Sequence, residues 1–147
     1  MQLLAQFGAD VRVENKDAST PLHEASIKGY LDIMRLLLKH GADQEAVNNN
    51  GSTSLHAAAC GGQVAAAQLL IENGAIIEAV NKFGRTPLHD ASAFGGPNVT
   101  RLLLERGANI EARDNLHTTP VHLAAVHGQL MTLRVLTEHS ANICSLA

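Results

Sequence analysis

Histidine is the residue of this chain best suited to chemistry, since imidazole both ligates metals and transfers protons near neutral pH. Eight histidines occur in 147 residues, and four of them, His23, His56, His89 and His122, recur at one fixed spacing of 33 positions. If each spacing forms one layer of stacked helices, successive imidazoles lie roughly 10 Å apart. Because the ligands of one zinc ion lie about 2 Å from it, we expect no metal site.

Two other pairs of side chains contain elements of acid–base or thiol catalysis, namely His89 with Asp90 and Cys60 with His56. Neither pair belongs to a recognisable motif that combines a nucleophile, a base and an orienting group. No glycine-rich phosphate loop follows a strand pattern either. We therefore expect that the protein is not an enzyme and that it needs no cofactor.

Charge argues against nucleic acid as a ligand. The chain carries 11 Lys and Arg against 14 Asp and Glu, which gives a formal net charge of −3. No two Lys or Arg residues are adjacent in the sequence, so the clustered positive surface that binds a phosphate backbone is not expected. We therefore expect no nucleic-acid partner.

The cysteines and the N-terminus indicate a reducing compartment. Cys60 and Cys144 lie far apart and outside any metal-ligand spacing, which favours two free thiols over a disulfide. The apolar N-terminal stretch is too short for a signal peptide, and no later apolar run is long enough to span a membrane. We expect a cytoplasmic protein without membrane insertion, with the nucleus as the alternative location.

One tetrapeptide pattern occurs four times, and each copy begins 33 positions after the preceding one. Self-similarity at a fixed period is typical of a repeat protein in which each unit packs against its neighbours. A glycine follows every copy at the same offset, at positions 29, 62, 95 and 128. The copies are Thr20-Pro21-Leu22-His23, Thr53-Ser54-Leu55-His56, Thr86-Pro87-Leu88-His89 and Thr119-Pro120-Val121-His122.

Each unit can be interpreted physically as helix, turn, helix and hairpin. Thr20 is a favourable N-cap and Pro21 suits the first helical position, while His23 lies where a capping-box side chain reaches back to the cap. The glycine of each unit, such as Gly29, permits the left-handed turn that ends the first helix. A second amphipathic helix and a polar, Asn-rich segment typical of a hairpin complete the unit.

These residues closely resemble the ankyrin-repeat family, whose pattern of Thr-Pro-Leu-His, Ala, Gly, Leu-Leu and Gly-Ala recurs here. The resemblance implies an all-α repeat solenoid, an ankyrin-repeat stack of helix-turn-helix units joined by β-hairpin loops. It implies a single domain over 1–147. The expected division is a partial repeat at 1–14 and repeats at 15–47, 48–80, 81–113 and 114–147.

Several positions depart from the family pattern. Ala18 and His117 stand where the hairpin usually has glycine, so we expect locally altered hairpins there. Ser140 replaces the glycine that usually ends the second helix, which predicts a less firmly ended last helix. The segment 141–147 aligns with a strand of a following hairpin, and both ends lack a polar capping helix. Weak self-association through these terminal repeats is therefore an alternative to the expected monomer.

The family resemblance implies that partners bind on the hairpins and the exposed face of the first helices, which together line the concave side. Phe83 and Phe94 are expected to be exposed on this face with Arg85 and Leu116 nearby, which resembles an interface hot spot, with packing inside the hairpin as the alternative. The full set of candidate protein-binding residues is Lys16, Asp17, Lys28, Asn49, Asn50, Lys82, Phe83, Arg85, Phe94, Asn115, Leu116 and His127.

An acidic residue also recurs on the hairpin side of the stack. Glu45, Glu78 and Glu111 occupy equivalent positions, and they form either a solvated edge or a surface for a basic partner, with the solvated edge favoured.

The leading functional hypothesis is an adaptor or scaffold segment that binds a partner protein. A freestanding inhibitor of a partner enzyme is the first alternative. The second alternative is a regulatory segment of a larger enzyme, channel or ubiquitin-ligase subunit. Because a fold does not name a function, the residues leave all three open.

Overall fold

The computed structural model describes the backbone of residues 10–146 and the side chains of residues 10–140. Most of the expected partial repeat at 1–14 therefore lies outside the described residues. The elements within the described range are arranged as successive helix pairs. They are α1 (Pro21–Lys28), α2 (Leu31–Lys39), α3 (Ser54–Cys60), α4 (Val64–Glu72), α5 (Pro87–Asp90) continuing into a π-helical segment (Ala91–Gly95), α6 (Pro97–Glu105), α7 (Pro120–Val126) and α8 (Leu130–Leu146).

The first helix of every unit begins at the predicted threonine, and the structure confirms the capping role of the histidines. In α1 the Thr20 hydroxyl accepts the backbone N–H of His23, and His23 Nδ1 accepts the N–H of Thr20 at 3.1 Å. The same reciprocal box caps α3, α5 and α7. Since two otherwise unpaired N–H groups are satisfied, the helix start is fixed by local sequence.

The turn between paired helices depends on glycine in the left-handed conformation. Gly29 has φ 74° and donates to the Ser26 carbonyl, while the Tyr30 N–H donates to Ala25 at 3.0 Å. This pair of bonds is the arrangement with which many helices end. Gly62 (φ 69°) and Gly128 (φ 67°) take the same conformation.

The third unit differs, and the prediction of a left-handed turn at Gly95 is wrong. Gly95 belongs to the π-helical segment, and Gly96 takes the positive φ of 90° instead. Pro97 explains the shift, because proline disfavours helical backbone in the residue before it. Gly96 is extended at ψ −178° and α6 begins immediately at Pro97.

The core consists of small aliphatic side chains repeated in every layer. One leucine of the first helix in each of the first three units, and one leucine of the second helix in all four, are almost completely buried, and alanines fill the space between successive first helices. The first helices α1 and α3 pack directly on each other, as do the second helices α2 and α4. The buried leucines that define the layers are Leu22, Leu37, Leu55, Leu70, Leu88, Leu103 and Leu136.

The hairpins keep one shared geometry, so the expectation of altered hairpins at Ala18 and His117 is wrong. Both residues have positive φ, 60° and 63°, close to the 74° of Gly51 and Gly84 at the equivalent positions. The N–H of each residue donates to the backbone carbonyl three residues earlier, as the N–H of each glycine does. The rest of the loop therefore imposes a conformation that non-glycine residues disfavour. Within residues 10–146 these connections are turns without β-strands.

The last helix continues past Ser140, in agreement with the missing glycine. Helix α8 extends to Leu146, so the strand expected over 141–147 is not formed in the described part of that segment. Without a residue suited to the left-handed cap, the backbone continues its helical hydrogen bonding.

Candidate functional site

A groove of about 330 Å³ lies along the first helices and hairpins of the first three units. Its walls are formed by helices α1 and α3, by two hairpins, and by helix α5 with the π-helical segment that continues it. We call this last element, residues 87–95, the α5 segment. Both apolar and polar side chains face the groove. The groove is lined by Ser19, His23, Glu24, Ile27, Asn48, Asn50, Ser52, His56, Ala57, Cys60, Asn81, Phe83, Arg85, Asp90 and Phe94.

A side-chain oxygen at the base of each hairpin positions the residues that border the groove. In the third unit Asn81 Oδ1 accepts the N–H groups of Phe83 at 2.9 Å and Arg85 at 3.1 Å. The Lys82 N–H then donates to the Asn50 carbonyl of the preceding hairpin at 2.9 Å. Because its backbone is held from both sides, the Phe83 side chain projects from a fixed loop.

Arg85 is held in place by a buried acid of the next unit. Its Nε lies 3.4 Å from Oδ2 of Asp114, and its guanidinium carbon is 5.9 Å from the centre of the Phe83 ring. Burial would raise the pKa of Asp114, but the N–H groups of Thr118 and Leu116 and the guanidinium outweigh it and lower that pKa. Asp114 is therefore an ionised anchor for Arg85.

Two aromatic rings border the same groove and remain half exposed. Phe83 and Phe94 are each 51% exposed. The Phe94 ring packs edge-on against His127 of the fourth unit, with centroids 4.9 Å apart and an interplanar angle of 62°. Half-exposed aromatic rings that are already supported by neighbours contribute contact area at low entropic cost.

Asp90 is one of two acidic residues that line the groove, with Glu24, and neither was among the candidate binding residues predicted from the sequence. It is partly buried at the junction of α5 and the π-helical segment. Burial raises its pKa to about 7, and the attraction of Arg85 lowers it only in part. A carboxyl that is costly to ionise beside an open groove is a feature of functional sites as well as of structural networks.

The groove does not contain an activated thiol. Burial and the nearby Asp90 carboxylate raise the pKa of the Cys60 thiol, which is the opposite of what a thiolate nucleophile requires. Both nitrogens of His56 are engaged, Nδ1 with the Thr53 N–H at 3.1 Å and Nε2 with the Arg85 carbonyl at 2.8 Å. His56 is therefore not placed to accept the Cys60 proton.

The histidines connect successive units as well as capping them. Nε2 of His23, His56 and His89 donates to the carbonyl of Ser52, Arg85 and Thr118, in each case one unit onward. Nδ1 accepts a backbone N–H, so each ring is neutral in this arrangement. Burial lowers the pKa of His56 and of His89, which favours that neutral form.

Four of the predicted binding residues, Asn50, Phe83, Arg85 and Phe94, line the groove together. The others are exposed outside its lining, and Leu116 is 80% exposed. The amides of two of them join hairpins, Asn49 to the Lys16 carbonyl and Asn115 to the Lys82 carbonyl. The residues outside the lining are Lys16, Asp17, Lys28, Asn49, Lys82, Asn115, Leu116 and His127.

The acidic row also contacts neighbouring units. Glu45 accepts the N–H of Ile76 at 3.2 Å, and Glu78 accepts the N–H of Asn109 at 2.8 Å. These carboxylates therefore satisfy backbone donors of the following unit. The two interpretations made from the sequence, a solvated edge and a surface for a basic partner, did not include this contact.

Neither a metal-binding cluster nor a membrane-spanning helix occurs in the described residues. No group of three or more His, Cys, Asp or Glu side chains in that part of the chain is arranged to hold a metal ion. None of the described helices is long and apolar enough to cross a membrane.

Comparison with known proteins gives one family. The family model for ankyrin repeats, which describes three copies, matches residues 1–81 and again residues 76–146. No curated protein matches the chain significantly.

Proposed function

Because the chain belongs to the ankyrin-repeat family, we propose that it holds a partner protein in the groove formed by its first helices and hairpins. Ankyrin repeats are generally protein–protein interaction modules. The partner would contact the hairpin of the third unit and the exposed side of α3 and the α5 segment. In this role the chain is an adaptor or scaffold segment.

One observation carries the proposal, namely that Phe83 and Phe94 border one groove while each remains 51% exposed. Large apolar side chains in soluble proteins are usually buried, so aromatic rings kept exposed beside a cavity favour an interface. The rings are also fixed in position. The hairpin hydrogen bonds hold Phe83, and His127 supports Phe94. The two rings would therefore lose little conformational freedom when a partner binds.

The test is a quantitative pull-down from cell lysate with the wild-type chain and a Phe83→Ala/Phe94→Ala variant. We expect the wild type to retain a partner that the variant loses, because alanine removes the aromatic contact area. Circular dichroism should show equal folding, since neither ring belongs to the buried core.

The matched control removes exposed apolar area outside the groove. Leu130 and Met131 lie at the start of α8, are 65% and 54% exposed, and are not part of the groove. A Leu130→Ala/Met131→Ala variant should retain the partner. If the control loses the partner and the groove variant keeps it, the interface lies on another face and the proposal is wrong.

A further inference from the structure

The charges that face the groove do not balance. Glu24 and Asp90 are its acidic residues, and Arg85 is its one basic residue among those described. Arg85 is already paired with Asp114, which lies outside the groove lining. His56 is neutral in its hydrogen-bonded arrangement. An occupant that brings a positive charge would therefore meet a complementary surface.

Asp90 is the acid whose surroundings most favour such an occupant. No hydrogen bond within the described residues involves its carboxylate, although the side chain is partly buried. The two aspartates near Arg85 thus differ, because Asp114 receives the guanidinium and two backbone N–H groups. A partly buried carboxylate without a donor is stabilised when a cation supplies one.

The aromatic rings lie on the same side as this carboxylate. Phe94 follows Asp90 by four residues along one continuous helical segment, so both side chains share a face. Arg85, which acts electrostatically on Asp90, also lies against the Phe83 ring. The faces of phenyl rings attract cations and also pack against the methylene stems of lysine and arginine.

We propose that the partner inserts one lysine or arginine side chain into the groove, with its stem against Phe83 and Phe94 and its charged group on the Asp90 carboxylate. This inference rests on the proposed function and specifies the chemistry of the partner. The π-helical segment supports it, because among the described residues this departure from regular helix occurs only at Ala91–Gly95, which follows Asp90 directly and includes Phe94, and π-bulges are common at functional sites.

The experiment selects ligands without assuming a partner. A random dodecapeptide phage library is selected on the wild-type chain, and enriched peptides are synthesised and measured by fluorescence anisotropy. We expect the groove-binding peptides to share one basic residue. Replacing that residue with norleucine or citrulline, or Asp90 with asparagine, should each weaken binding by at least about tenfold. The two changes together should weaken it little further, since both remove one interaction.

Glu24 provides the matched control. It occupies in α1 the position that Asp90 occupies in α5, immediately after the capping histidine, and it faces the same groove. Glu24→Gln removes one negative charge without touching the Asp90 site, so binding should weaken by less than about threefold. If Glu24→Gln and Asp90→Asn have equal effects, general electrostatic attraction explains the binding and the inference is overturned.

The remaining outcomes separate the inference from the proposed function. Peptides that lack a basic residue but lose affinity in the Phe83→Ala/Phe94→Ala variant would overturn the inference and leave the proposed function standing. Peptides insensitive to both Asp90→Asn and the aromatic variant bind elsewhere and overturn the inference. A library that yields no groove-binding peptide also overturns it, while the lysate pull-down still decides the proposed function.

Discussion

Two aspartates near Arg85 show how nearby hydrogen-bond donors determine whether a carboxyl group is ionised. Asp114 is buried, yet its pKa is lowered, because two backbone N–H groups and Arg85 stabilise its charge. Asp90 lies in the same neighbourhood without such donors, so burial dominates and raises its pKa to about 7. Asp114 holds its hairpin in place through these bonds, whereas the carboxylate of Asp90 makes no hydrogen bond within the described residues.

Asp90 should make the stability of the protein depend on pH. Its pKa of about 7 in the folded protein exceeds the ordinary aspartate pKa of 3.8. Its contribution to stability is therefore fully present below pH 3.8 and is lost as the pH rises through 7. Asp90→Asn removes this loss, so we expect the variant to be more stable than wild type at pH 8 by on the order of 2 kcal/mol. Urea denaturation followed by circular dichroism measures the difference.

The pH profile provides the control. The stability difference between variant and wild type should narrow as the pH is lowered from 8 to 5, because His56, His89 and the other ionisable groups are common to both proteins. A difference that stays constant over this range, or a variant less stable at pH 8, would show that Asp90 ionises without penalty.

The sequence indicated the two phenylalanines that line the groove but not Asp90. Exposed phenylalanines are unusual enough to be noticed from the repeat alignment, and Phe83 and Phe94 do border one groove. Asp90, in contrast, does not stand out in the repeat alignment. The four units carry Glu24, Ala57, Asp90 and Leu123 at that position, and surface carboxylates are common. Only the burial and the missing donors, both properties of the packed structure, distinguish Asp90.

At the scale of helices, glycine determines how closely the second and third units approach each other. A Cβ on Gly95 would overlap the carbonyl oxygen of Ala59, and one on Gly62 would lie 2.6 Å from the Gly95 carbonyl oxygen. These backbones therefore touch where α3 meets the π-helical segment. The close contact fixes the spacing between Cys60 on one wall of the groove and Phe94 on the other.

The second prediction tests this contact. Gly95→Ala should destabilise the protein by about 3 kcal/mol, because the methyl group overlaps backbone that cannot move alone. Gly128→Ala is the control. Gly128 has positive φ but open space around its Cβ position, so only conformational strain of about 1 kcal/mol is expected. Thermal or urea denaturation compares them, and equal effects would contradict the contact.

The helices were largely predictable because their ends are encoded locally. The Thr and His pairs fix where the first helices begin, and Gly29, Gly62 and Gly128 form the turns expected of them. The exception in the third unit depends on a competition that pattern alone does not resolve. Gly95 and Gly96 can both adopt a positive φ. Pro97, which follows Gly96, and the Ala59 carbonyl, which lies against Gly95, favour the positive φ at Gly96.

At the scale of the whole molecule, each unit contacts mainly its neighbours, so the proposed binding surface is assembled from several units. The groove takes Glu24 from the first unit, Cys60 from the second, and Phe83 and Phe94 from the third. The histidine bonds from each unit to the next hairpin keep these parts in register. The proposed binding surface therefore exists only in the folded stack.

The central claim is that a partner occupies this groove, and hydrogen-exchange mass spectrometry of the chain with its captured partner tests it most directly. We predict slower exchange on binding in peptides covering Ser54–Cys60 and residues 81–96, with little change over α2 and α4 on the other side of each helix pair. Protection confined to α2, α4 and α6, with the groove peptides unchanged, would contradict the account.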